Sequence, residues 1–243
     1  MNDFSQTDFD VRLEWGAQAA EQLAAEADCI VIIDVMSFST CVSIAAERGS
    51  FIFPYPWKDA RAQDYASEKN ALCAQFDRRF DGPGFTLSPC SLQDMTAGTR
   101  LVLPSPNGSA LTFAAKKKSG ADIFTACFRN LTATARACEK YSRILVIPAG
   151  EKWSDNTLRP AIEDLAAAGG LISRLKHRRL SVEARAACAV YEAINREELR
   201  DCGSAVELRR RGFAADVAIC LDEDVCDVAC KLTDDAFGPT VSS

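Results

Sequence analysis

The sequence predicts an α/β protein of three layers (α/β/α) with a largely parallel, mixed central sheet, in one domain covering residues 1–243. Three observations predict it. Short apolar runs rich in β-branched residues alternate with helical patterns along most of the chain. Several of these runs end on a polar turn that opens directly into the next helix, as parallel strands with helical crossovers require. A chain of 243 residues with 48% hydrophobic and 26% charged side chains can bury a sizeable core, and no repeat, low-complexity tract or linker divides it.

Taken in order, Trp15 to Ala27 reads as an Ala-rich amphipathic helix leading into the strand Cys29-Ile-Val-Ile-Ile33. A helix from Ser39 to Arg48 stops at Gly49, a suitable C-cap. The strand Ser50 to Tyr55 is bounded by Pro54 and Pro56. A helix is expected from Lys58 to Leu72, then a loop from Asp81 to Cys90 with two Gly and two Pro. Arg100–Pro104, Ala121–Ala126 and Arg143–Pro148 read as strands. Helices follow them over Ser109–Lys118, from Asn130 to about Tyr141, and over Arg159–Lys176. Val182 to Arg211 reads as helical with a break near Cys202-Gly203, and strands at Asp216–Leu221 and Val225–Leu232 are expected to follow.

Composition narrows the function. A net charge of −6 argues against nonspecific nucleic-acid binding. No apolar h-region follows a basic start and no apolar run approaches membrane-spanning length, so no membrane partner and a cytoplasmic location are expected. The eleven cysteines are odd in number and scattered, with several in apolar runs, and are expected as small core residues. Cys220, Cys226 and Cys230 lack C-x-x-C spacing and a nearby His, which argues against zinc. The one histidine, His177, lies in the basic run Arg174–Arg179 near an expected helix C-terminus. A His-rich metal site is thereby excluded, and acid–base chemistry falls mainly to carboxylates, Lys, Tyr, Cys or metal-bound water. A homo-oligomer is left open.

The strand Cys29–Ile33 ends on Asp34, followed by Ser37, Ser39 and Thr40. An unpaired carboxylate inside an apolar strand is costly, so Asp34 is expected at the strand's carboxyl end, where open α/β sheets place ligands. A plain helix cap is the alternative. Ser105-Pro-Asn107-Gly108-Ser109 is the best anion cradle: a Gly that lets backbone N–H groups approach, at the positive end of a helix dipole. An ordinary turn with a Ser cap would look the same. Glu151 to Asp155 supplies a third polar strand end, and the carboxyl ends of a parallel sheet are expected to bring the three together. Glu163 and Asp164, in the first turns after Pro160, either favour the helix dipole or join Asp34 as an all-oxygen set for Mg²⁺. Arg159, or Arg129-Asn130 at the neighbouring strand end, offers an anion clamp. No Walker A loop and no Gly-x-Gly-x-x-Gly fingerprint occurs.

Ile33-Asp34-Val35-Met36-Ser37-Phe38-Ser39-Thr40, Leu87-Ser88-Pro89, Ser105-Pro106-Asn107-Gly108, Val146-Ile147-Pro148-Ala149-Gly150-Glu151 and Leu158-Arg159-Pro160-Ala161-Ile162-Glu163-Asp164 occur in that order, with Ala168-Gly169 beyond. This ordered set resembles the Mg²⁺-dependent 2-phosphosulfolactate phosphatases, the ComB family. The resemblance implies an α/β phosphatase that converts 2-phospho-3-sulfolactate to 3-sulfolactate and phosphate, a step in coenzyme M biosynthesis. Asp34, Asn107, Gly108, Glu163 and Asp164 match positions typical of that family, whereas Ser37, Ser105-Pro106 and Cys202-Gly203 stand where many relatives carry other residues. On this reading Asp34, Asn107 and Arg159 are catalytic, and Asp34, Glu163 and Asp164 hold Mg²⁺. Ser37, Ser39, Thr40, Ser88, Ser105, Gly108, Ser109, Arg129, Asn130 and Glu151 bind a small phosphorylated, sulfonated acid. Whether Asp34 acts as nucleophile, base or metal ligand is open. Two rivals stand beside it: a noncatalytic binding protein for a dianionic metabolite, and a phosphatase of the same fold with another phosphorylated hydroxy acid as substrate.

Overall fold

In the computed structural model, which describes residues 3–57 and 59–240, a short strand β1 (Val11–Leu13) precedes α1 (Gly16–Leu23) and β2 (Cys29–Ile33). Then come α2 (Phe38–Glu47), β3 (Phe51–Tyr55), α3 (Arg61–Glu68), β4 (Leu72–Cys73), β5 (Arg100–Pro104) and α4 (Gly108–Lys118). The middle of the chain adds β6 (Asp122–Ala126), α5 (Leu131–Cys138) and β7 (Ile144–Pro148), followed by a two-stranded ribbon of β8 (Glu151–Lys152) and β9 (Leu158–Arg159). The remainder is α6 (Ile162–Ser173), α7 (Val182–Ala193), α8 (Gly203–Arg210), α9 (Ala214–Leu221), β10 (Cys230–Thr233) and β11 (Ala236–Pro239).

Among the described residues the main sheet has nine strands in the order β1-β7-β2-β6-β10-β11-β3-β5-β4. β1-β7-β2-β6 and β3-β5-β4 are parallel blocks, and the hairpin β10-β11 joins them through antiparallel pairings. The mixed three-layer sheet is therefore as expected. Strand alternation divides its faces. Cys29, Val31 and Ile33 join the core beneath α5 to α9, while Ile30 and Ile32 join the core beneath α1, α2 and α4. A smaller cluster beneath α3 takes Phe53, Tyr55 and Val102. With both faces covered, β2 needs no polar side chain, and all five of its residues are buried. The close approach of α6 to α7 depends on Gly169, where an added Cβ would lie 1.9 Å from the Ala187 carbonyl oxygen.

Several local expectations are corrected. Asp216–Leu221 is not a strand but most of α9. Its apolar run is too short for periodicity to separate strand from helix, and Val and Ile tilt the reading toward strand. The strand within Val225–Leu232 is confined to its last residues, Cys230 onward, and β11 completes a hairpin. The helix expected from Lys58 to Leu72 is α3, ending at Glu68, and its expected start at Lys58 lies outside the described residues. Arg159 belongs to β9, so the helix expected to begin there begins at Ile162. Among the described residues no helix is long and apolar enough to cross a membrane.

Candidate active site

The site begins where β2 ends. Asp34 is 5% exposed; its Oδ2 accepts from the Gly108 N–H at 2.7 Å and its Oδ1 from the Phe38 N–H at 3.3 Å. It therefore ties the N-termini of α2 and α4 together. Gly108 is dictated by this contact, since a Cβ there would lie 2.3 Å from the Phe38 ring and 2.8 Å from Asp34 Oδ2. The route by which these ends meet differs from the expected single rim of parallel strands. β2 and β5 are five steps apart, and three of the intervening pairings are antiparallel, so β5 runs opposite to β2 along the sheet. The ends of the two strands nevertheless meet, as the 2.7 Å bond from Gly108 N–H to Asp34 shows.

A second carboxylate repeats the pattern from the other side. Asp164, on α6, accepts from Val35 N–H at 2.8 Å and Gly150 N–H at 2.9 Å, joining the loops after β2 and β7. Glu163 beside it is 2% exposed, and among the described residues its Oε2 has no hydrogen-bond partner. Glu151 lines the same cavity as Asn107, whose side chain favours its charged form. This concentration of buried acid raises proton affinities. Asp34 is pushed up to about 7, first by burial and then by the Glu151 charge, against the lowering effect of the Gly108 and Phe38 N–H groups. Asp164 is raised by burial and then by Glu163 and Asp34, and Glu151 is raised mainly by burial.

Asp34 opens into a cavity of about 200 Å³, whose walls include Ser37, Arg78, Ser105, Asn107, Glu151, Ser204, Glu207 and Arg211. That is small for a ligand site, where about 300–1,000 Å³ is usual, and it suits a compact substrate. Four carboxylates (Asp34, Asp77, Glu151, Glu207) and two guanidiniums (Arg78, Arg211) line it among the described residues, an acidic balance for a pocket meant to take an anion. The donors around Asp34 are hard oxygens, the type Mg²⁺ prefers. Among the described residues, however, no three His, Cys, Asp or Glu side chains are gathered as a preformed metal cage.

The expected site residues divide into two groups. Asp34, Ser37, Ser105, Asn107 and Glu151 line the cavity, with Gly108 bonded to its floor. Arg159 lies next to it, donating to Ser204 Oγ at 3.0 Å beneath the Trp153 ring. Glu163 and Asp164 lie behind Asp34. The others have structural partners. Ser39 Oγ accepts from Asp34 N–H at 2.9 Å and bonds Thr125 Oγ1; Thr40 donates to the Val35 carbonyl and Ser109 to the Leu103 carbonyl. Ser88 donates to Asp216 at 2.6 Å. Arg129 pairs with Glu47 at 2.8 Å, and Asn130 bonds Cys127 N–H and the Val228 carbonyl.

Arg78, Ser204, Glu207 and Arg211 also line the cavity but were not singled out by sequence reasoning, and the same is true of Asp216, which holds Arg78. A usable signal existed for Asp216, a lone acid inside an apolar run, which is the same anomaly that marks Asp34.

An α/β sheet with a buried carboxylate at a strand end, opening into a small polar cavity, is where such folds place their ligands; the family match makes the chain a phosphatase, a phosphoric monoester hydrolase. It belongs to the 2-phosphosulpholactate phosphatase family, whose model matches residues 17–235, a span that includes all the site residues above. Relatives from Thermotoga maritima and Thermotoga petrophila, each named probable 2-phosphosulfolactate phosphatase, are 29% identical to it over 215 residues, which is 85% of this chain and 90% of theirs. A relative of the same name from Pseudothermotoga lettingae is 23% identical over 222 residues, covering 89% of this chain and 94% of its own.

Proposed function

We propose that this protein hydrolyses 2-phospho-3-sulfolactate to 3-sulfolactate and inorganic phosphate with Mg²⁺, which Asp34 would hold from the cavity and Glu163 and Asp164, the other proposed metal residues, would support from behind. The observation that carries the reading is the bond from Gly108 N–H to Asp34 on the floor of the cavity, which sets a carboxylate and a helix N-terminus side by side. The substrate follows the names of the relatives, all of them probable 2-phosphosulfolactate phosphatases.

The acid balance supports the metal. Asp34, Glu151 and Asp164 all hold protons more tightly than usual, first because of burial, and among the described residues Glu163 Oε2 is buried without a hydrogen-bond partner, a crowding of acid that a divalent cation would relieve. Each bonded oxygen of Asp34 and Asp164 keeps a further lone pair. Mg²⁺ at phosphoryl centres is commonly held by one or two carboxylates, with substrate oxygens and water completing the shell, so a full protein cage is not required. When bound, Mg²⁺ supplies charge stabilisation at the phosphoryl oxygens.

The chain's own groups do the rest. The N-terminus of α4 favours the phosphate charge, Asn107 favours the charged form of Glu151, and the small cavity limits water around the scissile bond. Arg159, paired with Ser204, closes the neighbouring wall. The eleven free thiols support a reducing, cytoplasmic setting.

Phosphate release from 2-phospho-3-sulfolactate, assayed with Mg²⁺ and with EDTA, tests the proposal. Release with Mg²⁺ and loss with EDTA are expected. Full release in EDTA from protein free of divalent ions overturns the metal assignment. Release only from a different phosphorylated acid overturns the substrate.

A further inference from the structure

Arg78 is the cavity's oriented cation. It lies on the long connection between β4 and β5, with its side chain 10% exposed. One guanidinium nitrogen donates to Asp216 at 3.3 Å and the other to Ser37 Oγ at 2.9 Å, while the group stacks 5.4 Å from the Phe213 ring centroid. A guanidinium carries five N–H donors, and these two bonds fix its plane without using them all. Asp216 is itself 1% exposed and held by Ser88 Oγ at 2.6 Å and Cys90 N–H at 3.0 Å. Three distant segments therefore combine to hold one cation against the cavity wall.

Stability does not explain this arrangement. A buried ion pair is often no more stabilising than apolar residues of the same volume, yet here a carboxylate is sunk into α9 and given three donors. Nor is the cavity's other cation equivalent: Arg211 is 45% exposed and pairs with the exposed Glu207 one helical turn away, a solvated surface pair of small consequence.

We propose that Arg78 is a specificity-determining residue that binds an acid group of the substrate other than the phosphate, its carboxylate or its sulfonate, and that Asp216 is its positioning residue. This rests on the phosphatase reading above and adds to it the reason for selecting a phosphorylated acid over a plain phosphate monoester. Ser37, on the cavity wall near Asp34, forms the link between the phosphate end and the Arg78 end. A planar donor fork matches a carboxylate or sulfonate, which present paired oxygens.

The test compares Arg78→Ala, Arg78→Lys and Asp216→Asn with the parent, using 2-phospho-3-sulfolactate and para-nitrophenyl phosphate, which has no second anion. For Arg78→Ala the KM for the phosphorylated acid should rise about ten- to a hundredfold, the loss typical of a hydrogen bond to a charged group, with a smaller change in kcat. The para-nitrophenyl phosphate parameters should stay close to parental values. Arg78→Lys should recover part of the KM. Asp216→Asn, which keeps an acceptor for Ser88 and Cys90, should move KM in the same direction by less. Equal losses on both substrates, or no loss on either, would overturn the proposal.

If Arg78→Ala leaves Asp216 unpaired and the protein unfolds, the double variant Arg78→Met/Asp216→Asn removes both charges and gives the same comparison. Calorimetric binding of 3-sulfolactate reads the subsite without turnover. Should the parent turn over neither substrate yet bind 3-sulfolactate, with binding lost in Arg78→Ala, the phosphatase reading fails and this one stands. Binding that survives Arg78→Ala, or is absent from the parent, sinks it.

Discussion

Asp34 after β2 and Arg129-Asn130 after β6 lie at the carboxyl ends of neighbouring parallel strands, and both present polar groups where an α/β sheet places its ligands. Only the first opens into the cavity. At the second, the segment before β10 folds over the strand end: Asp224 N–H donates to the Phe128 carbonyl, Cys226 N–H to the Arg129 carbonyl, and Asn130 is consumed by Cys127 and Val228. Polar residues at a strand end are thus necessary for a site but do not make one. What decides is whether a later stretch of chain satisfies them or leaves room for a ligand.

The sharpest way to break this comparison is to exchange the weights of the two ends. Asp34→Asn should lower turnover about a hundredfold or more, as the loss of a preorganised charge does, while circular dichroism stays parental. Arg129→Gln should keep its turnover and lose about 1 kcal/mol of stability or less, since its partner Glu47 is 40% exposed. Steady-state assays and urea melts check both, and an equal loss of turnover in the two variants would dissolve the distinction.

A smaller effect is expected from Gly108→Ala, whose new methyl meets Phe38 and Asp34. Overpacking of this kind costs about 1–3 kcal/mol, and turnover should fall with it because Asp34 is displaced; parental turnover would show that the close approach is dispensable. Asn130→Ala should show the converse. Loss of its buried bonds lowers stability by about 1–3 kcal/mol, while kcat measured below the melting transition remains unchanged.

The smallest effect is in pH. Because Asp34 is raised from 3.8 to about 7, the native state binds more protons than the unfolded chain between those values. The stability this group contributes is therefore present at low pH and falls as pH rises through that window. The melting temperature of the parent relative to Asp34→Asn should drop by a few degrees from pH 5 to pH 8, given about 2–4 °C per kcal/mol in a chain of this size. Mg²⁺ at pH 8 should raise the parent's melting temperature and not the variant's. A difference that is flat with pH would count against the buried acid cluster.

Much of the fold was legible because its strands are unambiguous. Cys29–Ile33, Arg100–Pro104 and Ile144–Pro148 are apolar runs with polar turns behind them, and Asp34 stood out as a carboxylate that an apolar strand cannot bury alone. β1 escaped notice because three residues carry no pattern. Asp216–Leu221 was misread because a mostly apolar run suits a buried helix as well as a strand. The error hid Asp216, and with it Arg78, whose partner is 138 residues away and invisible to any local pattern. The acids Asp34, Glu163 and Asp164 were legible as a motif, but their backbone bonds were not, since these depend on how the loops after β2, β5 and β7 cross.

The hairpin at the middle of the sheet has a consequence for biosynthesis. Residues 230–239 pair β6 on one side and β3 on the other, yet they leave the ribosome after both parallel blocks have been made. Until then each block carries a bare strand edge, and such edges recruit other chains. The joint that unites the two blocks is built from the last of the sheet's described strands to be translated, so a nascent chain halted before Cys230 presents two adhesive borders at once, and chaperone demand should peak at that stage of synthesis.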